Sequence, residues 1–241
     1  QSSLLYDPED ISLSKGFNGG HWGTLMPFLK ACRKQMGEPH RPTTLSQTSS
    51  MLSSIRGPEK WPSSIPINEL DMGLVSGAHK WDVPILHRFP MSETSARNNL
   101  ASFFSKGLHR YEKDRSRADL EHATSLLSTH LRIGTLSPHT LYHTTSDSVL
   151  TYEQKKTFSR RLYWRDLAYF QLHSFPKMRN YSIRSHYQSV EWVTSSSSSS
   201  TPTTGKQDEA TRRFDAWRWG KTSYPLLDAG MRQLYTEGFM T

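Results

Sequence analysis

The run Ala123-Thr-Ser-Leu-Leu-Ser128 carries the first chemistry this sequence offers. Thr124, Ser125 and Ser128 sit where a loop enters a helix. The first turn of a helix leaves backbone N–H groups unbonded and presents the positive end of the helix dipole. Hydroxyl donors added there make a site suited to phosphate. Plain capping of the helix accounts for the same Thr-Ser pair. Trp164, Arg165 and Asp166 follow one another on a second helical stretch and bring together an aromatic plane, a cation and a carboxylate; core aromatics beside a surface ion pair would have the same sequence. His139 and His143 lie four apart, but no carboxylate motif accompanies them, so a structural role is expected in place of a metal. The "GFNGG" run does not sit between a strand and a helix and is no phosphate loop. No Ser-His-Asp triad is legible from spacing.

The bulk properties narrow the partners. The formal charge is +8 and the isoelectric point about 9.6, with a mean hydropathy of -0.67. A basic excess favours a polyanion such as nucleic acid, a phosphorylated cofactor or an anionic surface. Cys32 is the single cysteine, so no intrachain disulfide forms, which fits a reducing compartment. No apolar run approaches the roughly 20 residues of a membrane span. From Gln1 onward there is no signal-peptide pattern.

The elements that must position these residues are helical. "TLMPFLKACRKQM" (24–36) spaces Leu25, Phe28, Leu29 and Cys32 for one helix face. The Pro-, Ser- and Thr-dense stretch that follows reads as a long irregular connector. Ser92 is placed to cap a helix with Leu100, Phe103, Phe104, Leu108 and Tyr111 on one buried stripe. Two short helices separated at Ile133-Gly134 come next, the second with Ser137 as cap and Pro138 at its first position. Residues 152–175 form a helix apolar on more than one side, hence a central one, with Phe158, Leu162, Trp164, Leu167, Tyr169 and Phe170, ended by Pro176. The stretch 194–211 is a flexible Ser/Thr-rich insert. Pro225 starts a last helix with Leu227, Met231 and Leu234 as its buried stripe, and Gly238 ends it. No strand alternation appears. The expected organisation is a mainly α chain: a connector with one helix over 1–91, then a helical domain over 92–241.

The segment "WRWGKTSYPLLDAGMRQLYTEGFM" resembles the photolyase/cryptochrome family, whose pattern there is W-x-x-G-[KR]-T-G-Y-P-[LI]-[VL]-D-A-[AG]-M-R-[QE]-L. "YEKDRSRADLEHATSLLSTHLRIGTLSPHTLY" and "FSRRLYWRDLAYF" resemble two further motifs of that family, and "LYDPED" resembles its inter-domain connector. The resemblance implies the connector and first half of the all-helical FAD-binding domain, with the α/β antenna domain absent. It implies FAD lined by Tyr111, Thr124, Ser125, Leu126, Leu127 and Ser128 on the phosphate and ribityl side. Arg165 would face the cofactor or the DNA side of the cavity, Trp164 would stack on a flipped lesion, and Trp192 is a candidate for electron transfer.

Some positions depart from the pattern. Arg161 replaces the Glu that, in the family's photolyases, hydrogen-bonds the damaged base, which counts against pyrimidine-dimer repair. Ser223 replaces the Gly of T-G-Y-P, and Thr129 the Pro of L-S-P. The chain also stops where the family continues with further flavin contacts. Two functions follow from the resemblance: a fragment or truncated relative of a blue-light FAD flavoprotein acting on damaged DNA or a signalling partner, or a non-catalytic interaction subunit of a larger complex with weak or no FAD binding. Plastid and nucleus are the first compartments in view, with the mitochondrion also open.

Overall fold

The structure is a computed structural model that describes residues 3–11, 22–42, 63–65, 69, 83–120, 123–190 and 205–240. Every regular element among them is helical: α1 (Leu25–Met36), α2 (Val83–Arg88), α3 (Glu93–Lys106), α4 (Tyr111–Asp114), α5 (Ser128–Ile133), α6 (Pro138–Asp147), α7 (Tyr152–Ser174), α8 (Gly205–Arg218) and α9 (Pro225–Glu237), with 3₁₀ turns at Leu108–Arg110, Pro176–Arg179 and Ser185–Ser189. The expected mainly α class is what the fold shows.

Helix α7 is the centre. It begins with a capping box in which Thr151 and Gln154 satisfy each other's backbone N–H groups, a Thr-x-x-Gln signature. It then packs against α1, α4 and α6. Phe158, Leu162, Leu167 and Phe170 are buried as expected, and so are Tyr163 and Asp166. On one side Phe170 meets Trp22 and Phe28 at ring centroid distances of 5.3 and 5.5 Å. On the other Phe158 meets Phe103 and Tyr111 at 4.9 and 5.3 Å. Helix α1 buries the four residues its spacing marked, Leu25, Phe28, Leu29 and Cys32. Ser92 caps α3 by accepting from the Ser95 N–H.

Some expectations are corrected. The connector carries a second helix, α2, which packs on the C-terminal end of α9: Arg88 pairs with Glu237 at 3.0 Å and Phe89 lies 6.0 Å from Phe239. Six residues have too little propensity to announce a helix, so tertiary packing decides it. Residues 205–211 of the stretch expected to be a flexible insert form the start of α8; residues 194–204 lie outside the described residues. Helix α6 has Pro138 at its first position, but Ser137 makes no side-chain cap. On α9, Met231 is buried, whereas Leu227 and Leu234 are each 40% exposed, because the helices packed on α9 are α2 and α8.

The α8–α9 turn is held by Asp228, whose carboxylate accepts from the Thr222 N–H and hydroxyl at 2.8 and 2.6 Å and from the Ser223 N–H at 3.0 Å. These bonds, the Thr222 hydroxyl first, hold the Asp228 pKa below the usual carboxylate value. Ser223 has φ 72°, the left-handed region in which glycine alone is unstrained. This explains why the family pattern writes Gly there. Gly220 also has positive φ, and a Cβ on it would meet the Asp228 carbonyl at 2.7 Å. Ser223→Gly is therefore expected to stabilise the chain by about 0.5–1 kcal/mol, and Gly220→Ala to destabilise it by about 1–3 kcal/mol. Urea unfolding followed by Trp217 and Trp219 fluorescence checks both signs.

Candidate functional site

The hydroxyl cluster forms a tight turn in front of α5. Leu126 takes φ 53°, which reverses the chain so that Ser125 Oγ lies 3.4 Å from the Leu127 N–H. The N–H groups of Ser128, Thr129 and His130, at the open end of α5, have no acceptor among the described residues. Thr129 Oγ1 is buried and unpartnered. Thr124, Ser125 and Leu126 are half-buried and Ser128 is exposed. The turn thus presents unbonded donors around a reversed loop, which is the chemistry a phosphate needs. Leu127 is 1% exposed and sits in the core, so it can offer a ligand only its main chain.

His130 sets the height of α5. Fully buried, it accepts at Nε2 from the Asn99 amide at 3.1 Å and donates from Nδ1 to Thr135 Oγ1 at 2.9 Å. Burial lowers its pKa below the usual histidine value, in keeping with a neutral ring in that tautomer. Sequence reasoning missed this residue. A lone histidine on a short helix is common, and Asn99 is 31 residues away.

Trp164 and Arg161 lie one turn apart on the exposed side of α7, Trp164 being 43% exposed. Arg165 turns elsewhere: its guanidinium donates to the carbonyls of Ser3 and, at 3.5 Å, Leu131, and it stacks over Tyr169 at 5.2 Å. Asp166 is no surface ion pair. It is 1% exposed, and its Oδ2 accepts from the N–H groups of Leu5 and Tyr6 at 3.0 and 3.1 Å. Tyr111 is half-buried, edge-on to Phe103 and Phe158. Trp192 lies outside the described residues. Surface clefts of about 690 and 410 Å³ share no lining residue with Thr124–Ser128 or Trp164. His139 and His143 both address backbone carbonyls.

The described residues thus offer a helical core, a turn with unbonded donors in front of α5 and an exposed face of α7 carrying Arg161 and Trp164. Residues 158–241 match the model of the FAD binding domain of DNA photolyase. The deoxyribodipyrimidine photo-lyase of Agrobacterium fabrum is 28% identical over 98% of this chain and 44% of its own length. Cryptochrome-2 of Arabidopsis thaliana is 27% identical over 98% of this chain and 36% of its own. The crystal structure of a bacterial class III photolyase from Agrobacterium tumefaciens superposes with a TM-score of 0.76 at 28% identity, over 99% of this chain and 44% of that one. The chain is similar to photolyases and cryptochromes over nearly its whole length, and its residues 158–241 match their FAD-binding domain. It spans less than half the length of these relatives. FAD is the cofactor this resemblance supports. The residues present fit the phosphate part of such a group, since the donors at Ser128–His130 and the Thr129 hydroxyl lack partners among the described residues.

Burial raises the Asp166 carboxyl to about 7, against the pull of its two N–H donors. The folded state therefore holds a proton that the unfolded chain releases near its ordinary value of about 4. Stability should fall as pH rises from about 4 to about 7. Asp166→Asn is expected to flatten that slope, and Asp166→Ala to cost about 1–3 kcal/mol for each stranded N–H. Thermal unfolding across this pH window checks both.

Proposed function

We propose that this chain provides the phosphate-side part of an FAD site in a blue-light flavoprotein, as a fragment or shortened relative of a cryptochrome-like photoreceptor or photolyase. The observation that carries the reading is the Thr124–Ser128 turn with its unbonded N–H groups in front of α5. Bound FAD would supply light absorption and the electron. The chain's own residues bind and orient: Thr124 and Ser125 add hydroxyl donors, Leu126 and Leu127 present main chain, and Ser128 opens the helix. Tyr111 and the α7 face carrying Trp164 border the site by resemblance, and Trp192 is the proposed electron relay.

Repair of pyrimidine dimers is not part of the proposal. A guanidinium has only donors, so Arg161 cannot accept a hydrogen bond from a damaged base as the family's Glu does. Light signalling to a protein partner is the preferred activity, with DNA contact compatible with the +8 charge. The alternative, an interaction subunit of a larger assembly with weak or no FAD binding, draws support from one observation: Trp217, Trp219, Tyr224, Leu226 and Tyr235 are all exposed around α8 and α9.

The visible spectrum of the purified protein separates the two. Flavin bands, or their appearance on adding FAD, are expected. A colourless protein that takes up no FAD and elutes with a stable partner would sink the flavoprotein reading. The double change Thr124→Val and Ser125→Ala should weaken FAD about tenfold or more, the loss of a charge-assisted hydrogen bond, measured by flavin fluorescence titration.

A further inference from the structure

Pro176 ends α7, and the chain then folds into two 3₁₀ turns, Pro176–Arg179 and Ser185–Ser189. Local bonds hold them. The Asn180 and Tyr181 N–H groups donate to the Lys177 carbonyl at 3.0 and 2.9 Å, and the Gln188 amide donates to the Ser182 carbonyl at 3.4 Å. These residues enclose the cleft of about 690 Å³, whose walls include Phe175, Pro176, Met178, Tyr181 and Ile183, with Lys177 among them. Its volume lies in the range of ligand pockets and leaves room for a large apolar side chain. Met178, Tyr181 and Ile183 are 36, 62 and 41% exposed, so these apolar groups face water and not the core.

The same segment is one-sided in charge. From Leu167 to Val190 the sequence carries Lys177, Arg179 and Arg184 and neither Asp nor Glu. All three cations are exposed. No carboxylate among the described residues pairs with any of them. Other exposed arginines of this chain do find one: Arg41 pairs with Asp147, Arg97 with Glu93, Arg117 with Asp119 and Arg213 with Glu209.

We propose that this cleft docks a short acidic segment of a partner protein, one apolar side chain of which enters the cleft while neighbouring carboxylates meet Lys177, Arg179 and Arg184. An aromatic side chain encloses about 150–250 Å² when buried, and such an anchor carries most of the affinity of a small interface. The cations steer the segment and reject basic competitors. Nucleic acid fits less well. Three cations neutralise about three phosphates, against the roughly 6–10 contacts of a protein held firmly through them. Pro176, Met178 and Ile183 offer no flat ring on which a base could stack. The site shares no residue with the Thr124–Ser128 turn and needs no FAD, so it stands apart from the flavoprotein reading.

Fluorescence anisotropy tests the site, with the whole chain and a fluorescein-labelled peptide that carries one phenylalanine between three glutamates on each side. Binding is expected, and it should weaken as salt rises from about 0.05 to about 0.5 M. Exchanging the phenylalanine for serine, or the glutamates for glutamine, should each weaken it about tenfold or more. Lys177→Glu and Ile183→Asp should do the same from the protein side, with the helical circular dichroism unchanged. No binding at peptide up to about 1 mM overturns the proposal. So does binding that ignores either peptide exchange, or that survives both protein substitutions. If either variant does not fold, amide shifts in the unaltered chain decide by NMR: shifts over residues 174–188 on adding the peptide support the site, and shifts confined elsewhere refute it. A labelled thymidine oligonucleotide that binds more tightly and displaces the peptide assigns the cleft to nucleic acid and overturns the proposal as well.

Discussion

One buried carboxylate ties the two parts of this chain together. Asp166 sits near the middle of α7 and is almost fully enclosed, yet it spends one oxygen on the N–H groups of Leu5 and Tyr6, about 160 residues away in sequence. Its other oxygen is buried without a partner. A carboxylate so placed costs desolvation free energy, which the two backbone donors partly offset. The result is a fixed register between residues 5–6 and the central helix. Arg165 and His139 extend it by taking the neighbouring Ser3 and Leu4 carbonyls. With the connector locked there, Trp22 and α1 can close over Phe170, and Gln171 reaches the Trp22 carbonyl.

The same clasp explains why Trp164, Arg165 and Asp166, adjacent in sequence, have three separate fates. A helix turns about 100° per residue, so Asp166 points into the core, Arg165 reaches round its edge, and Trp164 stays exposed one turn after Arg161. Only Arg161 and Trp164 share a face. Arg161 and Trp164 stay exposed there, while Arg165 donates to the Ser3 and Leu131 carbonyls. The phosphate-suited turn in turn depends on His130, whose two ring nitrogens hold α5 to Asn99 and Thr135.

Helices α8 and α9 are arranged differently. The main core draws its residues from Leu5 to Phe170, whereas α9 packs on α2 and α8. The most family-like stretch therefore buries Met231 but leaves Leu227 and Leu234 of its apolar stripe partly exposed. Its internal order is strong all the same: Asp228 satisfies the turn, and Gly220 and Gly238 supply the left-handed residues that close each end.

The sequence by itself determined most of the helices, though not α2 or α8, and much of their inner faces. The 3.6-residue spacing of Leu25, Phe28, Leu29 and Cys32, the cap at Ser92 and the Gly238 stop are local signals, and local backbone physics is enough to satisfy them. The likeness to photolyases and cryptochromes was also legible, because motif positions such as GKT-x-YP survive as residue types. What remained hidden was every pairing across long separations. Nothing near Asp166 says that its partners are backbone N–H groups of Leu5 and Tyr6, and no periodicity announces a six-residue α2 or the exposure of Leu227 and Leu234. Those outcomes depend on which surfaces meet once the helices exist. Only the tertiary structure, by bringing the connector onto α6 and α7, decided that Asp166 and His139 are clasps and that Trp164 is not core.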